Sequence, residues 1–394
     1  MNLLPKPKKI TEKGGQLLLC HSMYIVISKE ISDNGIYAAK RLQEAIRQET
    51  GLLLRLSVGE TRDGDFSLRI TETLSEQAYE ITINENGVQI LGGDGAGVLY
   101  GVETFCQILQ QYGGALPCMQ IMDAPDMPNR GYYFDQTRGR ILKLEELKKI
   151  ADRMSHYKLN QLQLYVEHTY LFRDFSEMWR DQTPITAEEI RELDSYCRER
   201  HIELVPSLAS FGHLCTLLST KTYGDLCEME DSWKEPFSFW NRMRYHTINV
   251  SDGRSLPLIK KMIAEYMQLF SSDKFNICAD ETFCLGKYKS KELAKECGIH
   301  RLYIDYVKEL AQFLVENGKI PMFWGDIIWN SPELMKELPE TMVCLNWGYA
   351  PEQREDETRA IAQTGAMQYL CPGVCGWNQW ANLIENSYKN ITRM

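Results

Sequence analysis

The sequence predicts an α/β protein: a (β/α)8 TIM barrel, with about seven β–α units visible, preceded by a small α+β domain. Two observations carry this. From residue 126 onward, strand-like apolar runs alternate with helix-spaced runs, the rhythm of a parallel sheet with crossover helices. Before residue 126 the rhythm differs, with several strands, one hairpin and two helices. Polar and aromatic residues also gather where the later strand-like runs end, which is where barrels of this kind keep their chemistry. A chain of 394 residues accommodates both parts.

In the first part, residues 1–125, "MYIVIS" (23–28) reads as a strand and "NGIYAAKRLQEAIRQETG" (34–51) as a helix stopped by Gly51. "LLLRLSV", "FSLRIT" and "YEITINENGVQILGG" read as strands, the last as a hairpin turning at "NENG". "AGVLYGVETFCQILQQYGG" (96–114) is again helical and again ends at Gly. "MDAPDMPNRG" (122–131), with two prolines, is the expected linker.

The second part, residues 126–394, opens with "RGYYFDQ" and the helix "KLEELKKIADRMSHYK". There follow "LNQLQLYVE" with "TAEEIRELDSYCRERH", and "IELVPSLAS" with a long segment ending in "SLPLIKKMIAEYMQLF". "KFNICADE" precedes "HRLYIDYVKELAQFLVENG", and "IPMFWGD" precedes "SPELMKELP". "TMVCLNWG" with "PEQREDETRAIAQTG", and "MQYLCPG" with "NLIENSYKNITRM", complete seven units. Eight close a barrel, so the expectation is a barrel cut short before its eighth unit. An open doubly wound sheet is the other arrangement of such units, but no Gly-rich phosphate loop follows the first strand.

The strand ends carry a consistent chemistry. They bring Asp135 and Arg138, then Glu167 and His168, then Ser210 and His213, then Asp280 and Glu281. The later strands add Trp324 and Asp326, then Asn346, Trp347 and Tyr349, then Trp377 and Asn378. Carboxylates, an arginine and amide or imidazole groups hydrogen-bond hydroxyls, and indole faces stack on the C–H faces of sugars. The mixture suits a carbohydrate. Each residue alone has a plainer reading: a solvated turn for the acid pair, a rim ion pair for Arg138, a core filler for any one Trp. The pair is harder to dismiss, because it closes an apolar run, and successive side chains on a strand point to opposite faces.

Other features narrow the class. The net charge of −10 argues against nucleic acid or an anionic membrane as partner. No apolar run reaches the length of a bilayer span, and the N-terminal stretch offers no secretory apolar core. Twelve cysteines form no CxxC pair and no zinc-finger spacing. They read as reduced thiols, the expectation for a cytoplasmic protein. His-x-His and HExxH are absent, so no metal or cofactor is expected. Oligomeric state is not legible in the sequence.

The motifs together resemble glycoside hydrolase family 20, the β-N-acetylhexosaminidases. "AYEITINENGVQILGGDGAGVLYGVETFCQIL" (78–109) is similar to the end of that family's small N-terminal domain, and "IMDAPDMPNRGYYFDQTR" (121–138) to its entry into the barrel, with D-x-[ST]-R. "FGH" (211–213) stands where the family has P-G-H, "ADET" (279–282) where it has G-D-E, and "FWGD" (323–326) at its strand-5 Trp. The resemblance implies an exo-acting retaining hydrolase of terminal β-linked N-acetylhexosamine on an oligosaccharide or glycoconjugate. In its substrate-assisted mechanism the sugar's own acetamide attacks C1 and forms an oxazoline. It implies Glu281 as general acid, Asp280 as the group orienting the acetamide, Arg138 on ring hydroxyls, and Trp324, Trp347 and Trp377 as pocket walls. His213, Asn378, Tyr349, Asp326, Glu167 and His168 are further candidates for the substrate pocket.

The chain also departs from the pattern. Asn276-Ile277-Cys278-Ala279 replaces His-x-Gly-Gly before the acid pair, and Phe211 replaces a proline. "YVEHTY" replaces an aspartate-rich loop, and either Tyr369 or Tyr349 would be the acetamide's tyrosine. A carbohydrate-binding relative without turnover, or a glycosidase for sugars lacking the N-acetyl group, are the alternatives.

Overall fold

The computed structural model describes residues 1–29, 31, 33–236, 238–352, 355–374 and 381–394. They form two compact units. The first comprises Met1–Tyr132, Lys143–Leu162 and Glu192–Leu204; the second comprises Tyr133–Leu142, Gln163–Arg191 and Val205–Met394.

The first unit holds a seven-stranded sheet made of β1 (Lys9–Leu18), β2 (Tyr24–Ile27), β3 (Arg55–Val58), β4 (Phe66–Ile70), β5 (Tyr79–Asn84), β6 (Gly87–Gly92) and β7 (Ala115–Asp123). Their order is β1-β7-β5-β6-β4-β2-β3. The anticipated hairpin is β5–β6, with Asn84 opposite Gly87. Only glycine fits there, because Gly87 has φ +127° and an added Cβ would sit 2.4 Å from the carbonyl oxygen of Asp65. Strand β1 has no apolar signal: of its side chains only Leu17 is buried, and backbone pairing to β7 holds it in place. The helices Asp33–Thr50 and Gly95–Tyr112 bury Ala38, Leu42, Ile46, Leu99, Val102 and Phe105 in one apolar core with Ile25, Phe66 and Ile81. Asp94 caps the second helix by accepting the Gly97 N–H at 2.7 Å.

The second sheet has seven strands in sequence order: β8 (Gly131–Asp135), β9 (Gln161–Val166), β10 (Glu203–Leu208), β11 (Lys274–Asn276), β12 (Ile320–Trp324), β13 (Val343–Gly348) and β14 (Met367–Pro372). The β10 to β14 pairings are parallel. Every residue of β9 is buried, and so are the last five of β10, as a strand covered on both faces requires. Among the described residues the edge strands β8 and β14 pair only inward.

Two expectations change. "SPELMKELP" forms a 3-10 helix, Pro332–Glu337, rather than an α-helix. Prolines at 332 and 339 leave too few residues for stable α-turns. The apolar run before the acid pair is strand only to Asn276; its continuation is irregular. Among the described residues eleven cysteines are free: Cys20, Cys106, Cys118, Cys197, Cys215, Cys227, Cys278, Cys284, Cys297, Cys344 and Cys371. No helix in them is long and apolar enough to cross a membrane.

Candidate active site

Two adjacent carboxylates can serve one site only if the strand pleat is broken, and backbone conformation breaks it here. Beyond Asn276, Cys278 (φ +58°), Ala279 (φ +63°) and Glu281 (φ +49°) are all left-handed. A non-glycine residue in that region costs about 1 kcal/mol or more. The positions where the family pattern has Gly-Gly are therefore the ones whose backbone favours glycine, and this chain holds the shape with side chains present. Hydrogen bonds fix it. The Cys278 N–H donates to Asn276 Oδ1 at 2.8 Å, and Asn276 Nδ2 donates to Gln163 Oε1 at 3.0 Å. Ser210 Oγ donates to the carbonyl of Ile277, and the Tyr303 hydroxyl to that of Ala279 at 3.0 Å. The Trp324 N–H closes on the Cys278 carbonyl at 2.9 Å.

His213 joins the two acids. It follows β10 in a segment anchored by Phe211, whose ring packs 4.3 Å from Tyr306 and stacks on Tyr303 at 5.7 Å. Gly212 must be glycine, since an added Cβ would lie 2.5 Å from the carbonyl oxygen of Asp280. His213 itself is left-handed, at φ +58°. Its Nε2 lies 3.3 Å from Asp280 Oδ2 and 3.3 Å from Glu281 Oε2. Burial alone would push the imidazole down, but the charge of Asp280 and contacts to both acids outweigh it and raise it to about 10. Asp280 shows the reciprocal effect: burial pushes it up, yet the His213 charge and Arg138 hold it below the usual carboxylate range. Oxygens of both acids and a nitrogen of His213 lie within 4.8 Å of one another, a spacing a metal could bridge. Within the trio, the raised His213 and the lowered Asp280 form an ion pair beside Glu281.

Asp326, past β12, accepts the Glu281 N–H at 2.9 Å through Oδ2, and so braces the left-handed acid. Its Oδ1 is buried and has no hydrogen-bond partner among the described residues. Burial, then the charge of Asp280, pushes this carboxyl up to about 8. Trp324 is almost fully buried and meets Tyr133 edge-on, with ring centroids 5.0 Å apart.

Arg138 is aimed by a local turn. Asp135 Oδ1 accepts the N–H groups of Thr137 and Arg138, both at 2.9 Å, while Oδ2 accepts Arg138 Nε at 2.6 Å. The D-x-[ST]-R spacing thus describes an arginine clamped by the aspartate three residues before it. The guanidinium lies 4.8 Å over the Tyr165 ring. Glu167 sits behind it, 3.8 Å from Arg138 Nε, with its oxygens taken by the Tyr165 hydroxyl and Arg242 Nη2, each at 3.0 Å. Burial pushes Glu167 up, but Arg138 and Arg242 together hold it below the usual range. It is a buttress for two arginines. His168 is buried with Nδ1 3.9 Å from Glu167, and burial lowers its pKa.

Trp347 lies 6.2 Å from Trp329 and 5.1 Å from the half-exposed Tyr349, an aromatic cluster at the β13 end. Trp329 Nε1 donates to Asn346 Oδ1 at 2.9 Å. Trp377 and Asn378 lie outside the described residues. No strand-end position or motif in the sequence marks Arg242, Met243 or Trp329. The first two come from the helix Phe239–Arg244, inside a long segment read only as a connection. Its "FWNRMR", aromatic and cationic in six residues, was the available signal.

A parallel β/α sheet with paired acids, a buried cation and a clamped arginine at its strand ends defines a (β/α)-barrel protein built around a carboxylate site. Residues 128–390 match the model of the glycosyl hydrolase family 20 catalytic domain, and residues 1–124 that of glycosyl hydrolase family 20, domain 2. The chain belongs to glycosyl hydrolase family 20. A β-hexosaminidase of Porphyromonas gingivalis is 23% identical over 365 residues, 83% of this chain and 46% of the relative. One from Akkermansia muciniphila is 30% identical over 189 residues, 43% of this chain and 36% of the relative. The chain thus spans less than half the length of these relatives. In fold it is similar to a Flavobacterium johnsoniae chitobiase (TM-score 0.79, 20% identity, 93% of this chain and 58% of that one). It is also similar to the β-N-acetylhexosaminidase of Streptomyces coelicolor (TM-score 0.78, 19% identity, 94% and 74%).

Proposed function

We propose that this chain is an exo-acting, retaining β-N-acetylhexosaminidase that removes terminal β-linked GlcNAc or GalNAc from an oligosaccharide or glycoconjugate by substrate-assisted catalysis. One observation carries the reading: the two adjacent acids touch the same nitrogen of His213. They therefore lie on one side of the site and do not flank a sugar ring as an acid and a nucleophile must. The other nearby carboxyls are poor nucleophiles. Glu167 has both oxygens engaged, and burial and the charge of Asp280 disfavour the ionised form of Asp326. The nucleophile is then the substrate's acetamide oxygen.

The roles follow. Glu281 protonates the glycosidic oxygen. Asp280, kept ionised by His213, stabilises positive charge as the acetamide closes on C1, and that interaction strengthens toward the transition state. Arg138 binds ring hydroxyls and Trp324 walls the pocket. Water then opens the oxazoline, with Glu281 acting as base.

The test combines a substrate panel with an N-acyl series. Aryl β-GlcNAc and β-GalNAc should turn over while β-Glc and β-Gal do not. Fluorines added to the N-acyl group should slow turnover step by step, and Asp280→Asn should lower kcat far more than it changes KM. A flat response to the fluorines, or trapping of a fluorosugar as an ester on Asp326 or Glu167, would show that a protein carboxylate attacks instead.

A further inference from the structure

The short helix Phe239–Arg244 is pinned to the site from two sides. Toward the sugar-binding arginine, Arg242 Nη2 reaches Glu167 at 3.0 Å and Met243 Sδ accepts from Arg138 Nη1 at 3.5 Å. Toward the acid, the carbonyl of Arg244 accepts from Cys284 Sγ at 3.0 Å. Cys284 follows Phe283, whose N–H donates to the carbonyl of Glu281 at 2.7 Å. The helix therefore ends against the turn that leaves the acid. It carries Trp240, which is 62% exposed although indoles are usually largely buried. Trp240 is held in place: Phe239 packs edge-on at 5.6 Å, and the Arg244 guanidinium lies 5.2 Å over its ring. Phe283, two residues beyond Glu281, is 42% exposed. Exposed Phe283 thus stands beside the acid, and the helix that carries Trp240 and Arg244 ends against the same turn.

A general acid works on the leaving-group side of the bond it protonates, so what lies beyond Glu281 meets the group that departs. The geometry points to Trp240, with Arg244 and Phe283, as a platform for the second sugar ring, whose apolar C–H face stacks on an indole while its hydroxyls accept from a guanidinium. The inference rests on the reading of Glu281 as the acid. It makes the preferred substrate a β-linked oligosaccharide, in contrast to an N-acetylhexosamine carrying a small aglycone.

The experiment compares Trp240→Ala with the parent on two substrates, β-linked N-acetylhexosamine disaccharides and the methyl β-glycoside of N-acetylhexosamine, which has no second ring. The expected result is a drop of about tenfold in the ratio of kcat/KM for disaccharide over methyl glycoside. Trp240→Phe, which keeps a ring, should restore most of the ratio. An unchanged ratio in Trp240→Ala overturns the platform while leaving the hydrolase reading standing. Binding supplies a readout that needs no turnover. In a Glu281→Gln background, calorimetry should show Trp240→Ala weakening disaccharide affinity about tenfold relative to monosaccharide affinity. Equal effects on both sugars would refute the platform. Absent turnover by the parent chain, with that binding difference intact, would instead refute the hydrolase reading.

Discussion

Replacing His213 with Asn removes the cation that holds Asp280 ionised. With Nε2 3.3 Å from the Asp280 carboxylate, that contact carries about 5 kcal/mol of Coulomb attraction at an effective dielectric of about 20. Burial of the ions cancels much of this, and breaking such a buried pair costs about 3–5 kcal/mol of stability. Asn keeps the approximate size but no charge, so burial then acts on Asp280 unopposed by its main partner, and its carboxyl rises. At neutral pH a fraction of Asp280 takes up a proton, and kcat should fall about 100-fold, with a smaller change in KM. The pH dependence has a definite sign. His213 is raised from 6.5 to about 10, so its contribution to stability is full below about pH 6.5 and is lost as pH rises through about 10. Asp280 is lowered from 3.8, so its contribution is full above about pH 4 and is lost as pH falls through its depressed value. The Tm difference between parent and His213→Asn should therefore be widest between about pH 4 and 6.5 and narrow toward pH 10. Thermal melts from pH 3 to 10.5, with kcat and KM at pH 6, measure it. A Tm difference as large at pH 10 as at pH 6, or a variant with parental kcat, would refute the ion-pair reasoning.

Glu281→Gln should abolish most turnover of substrates whose leaving group needs a proton, and should hurt strongly acidic phenol leaving groups much less; equal losses on both would remove Glu281 from the acid role. Asp326→Asn should raise Tm by a few degrees at pH 7, because burial and Asp280 push Asp326 up to about 8 in the native protein while the unfolded chain ionises it above about pH 4. Its stability gain should grow from pH 5 to pH 8, and the variant should keep most of its turnover, since Asn still accepts the Glu281 N–H. Turnover lost as severely as in Glu281→Gln would make Asp326 the nucleophile.

The alternation of strand and helix was legible in the sequence because each β–α unit signals itself locally, by apolar runs, helical spacing and glycine stops. The site residues at strand ends were legible for the same reason: once the sheet is parallel, position along each strand locates its C-terminal end. The adjacent acids, the D-x-[ST]-R turn and FGH could all be read as motifs. Strand β1 could not, since nearly all its side chains are exposed and long-range backbone pairing alone makes it a strand. Nor could the division of labour among the acids. Asp280 and Asp326 are the same residue type at the ends of neighbouring strands, yet one is held low by a buried imidazolium and the other is pushed up by burial and by its neighbour's charge. Glu167 looked available and is tied up by Tyr165 and by Arg242, which arrives from a segment 75 residues away. Local pattern determined which residues stand near one another along each strand end. Only the tertiary structure decided which carry charge and which are spent on one another, because burial and ion pairing depend on contacts between residues far apart in the chain.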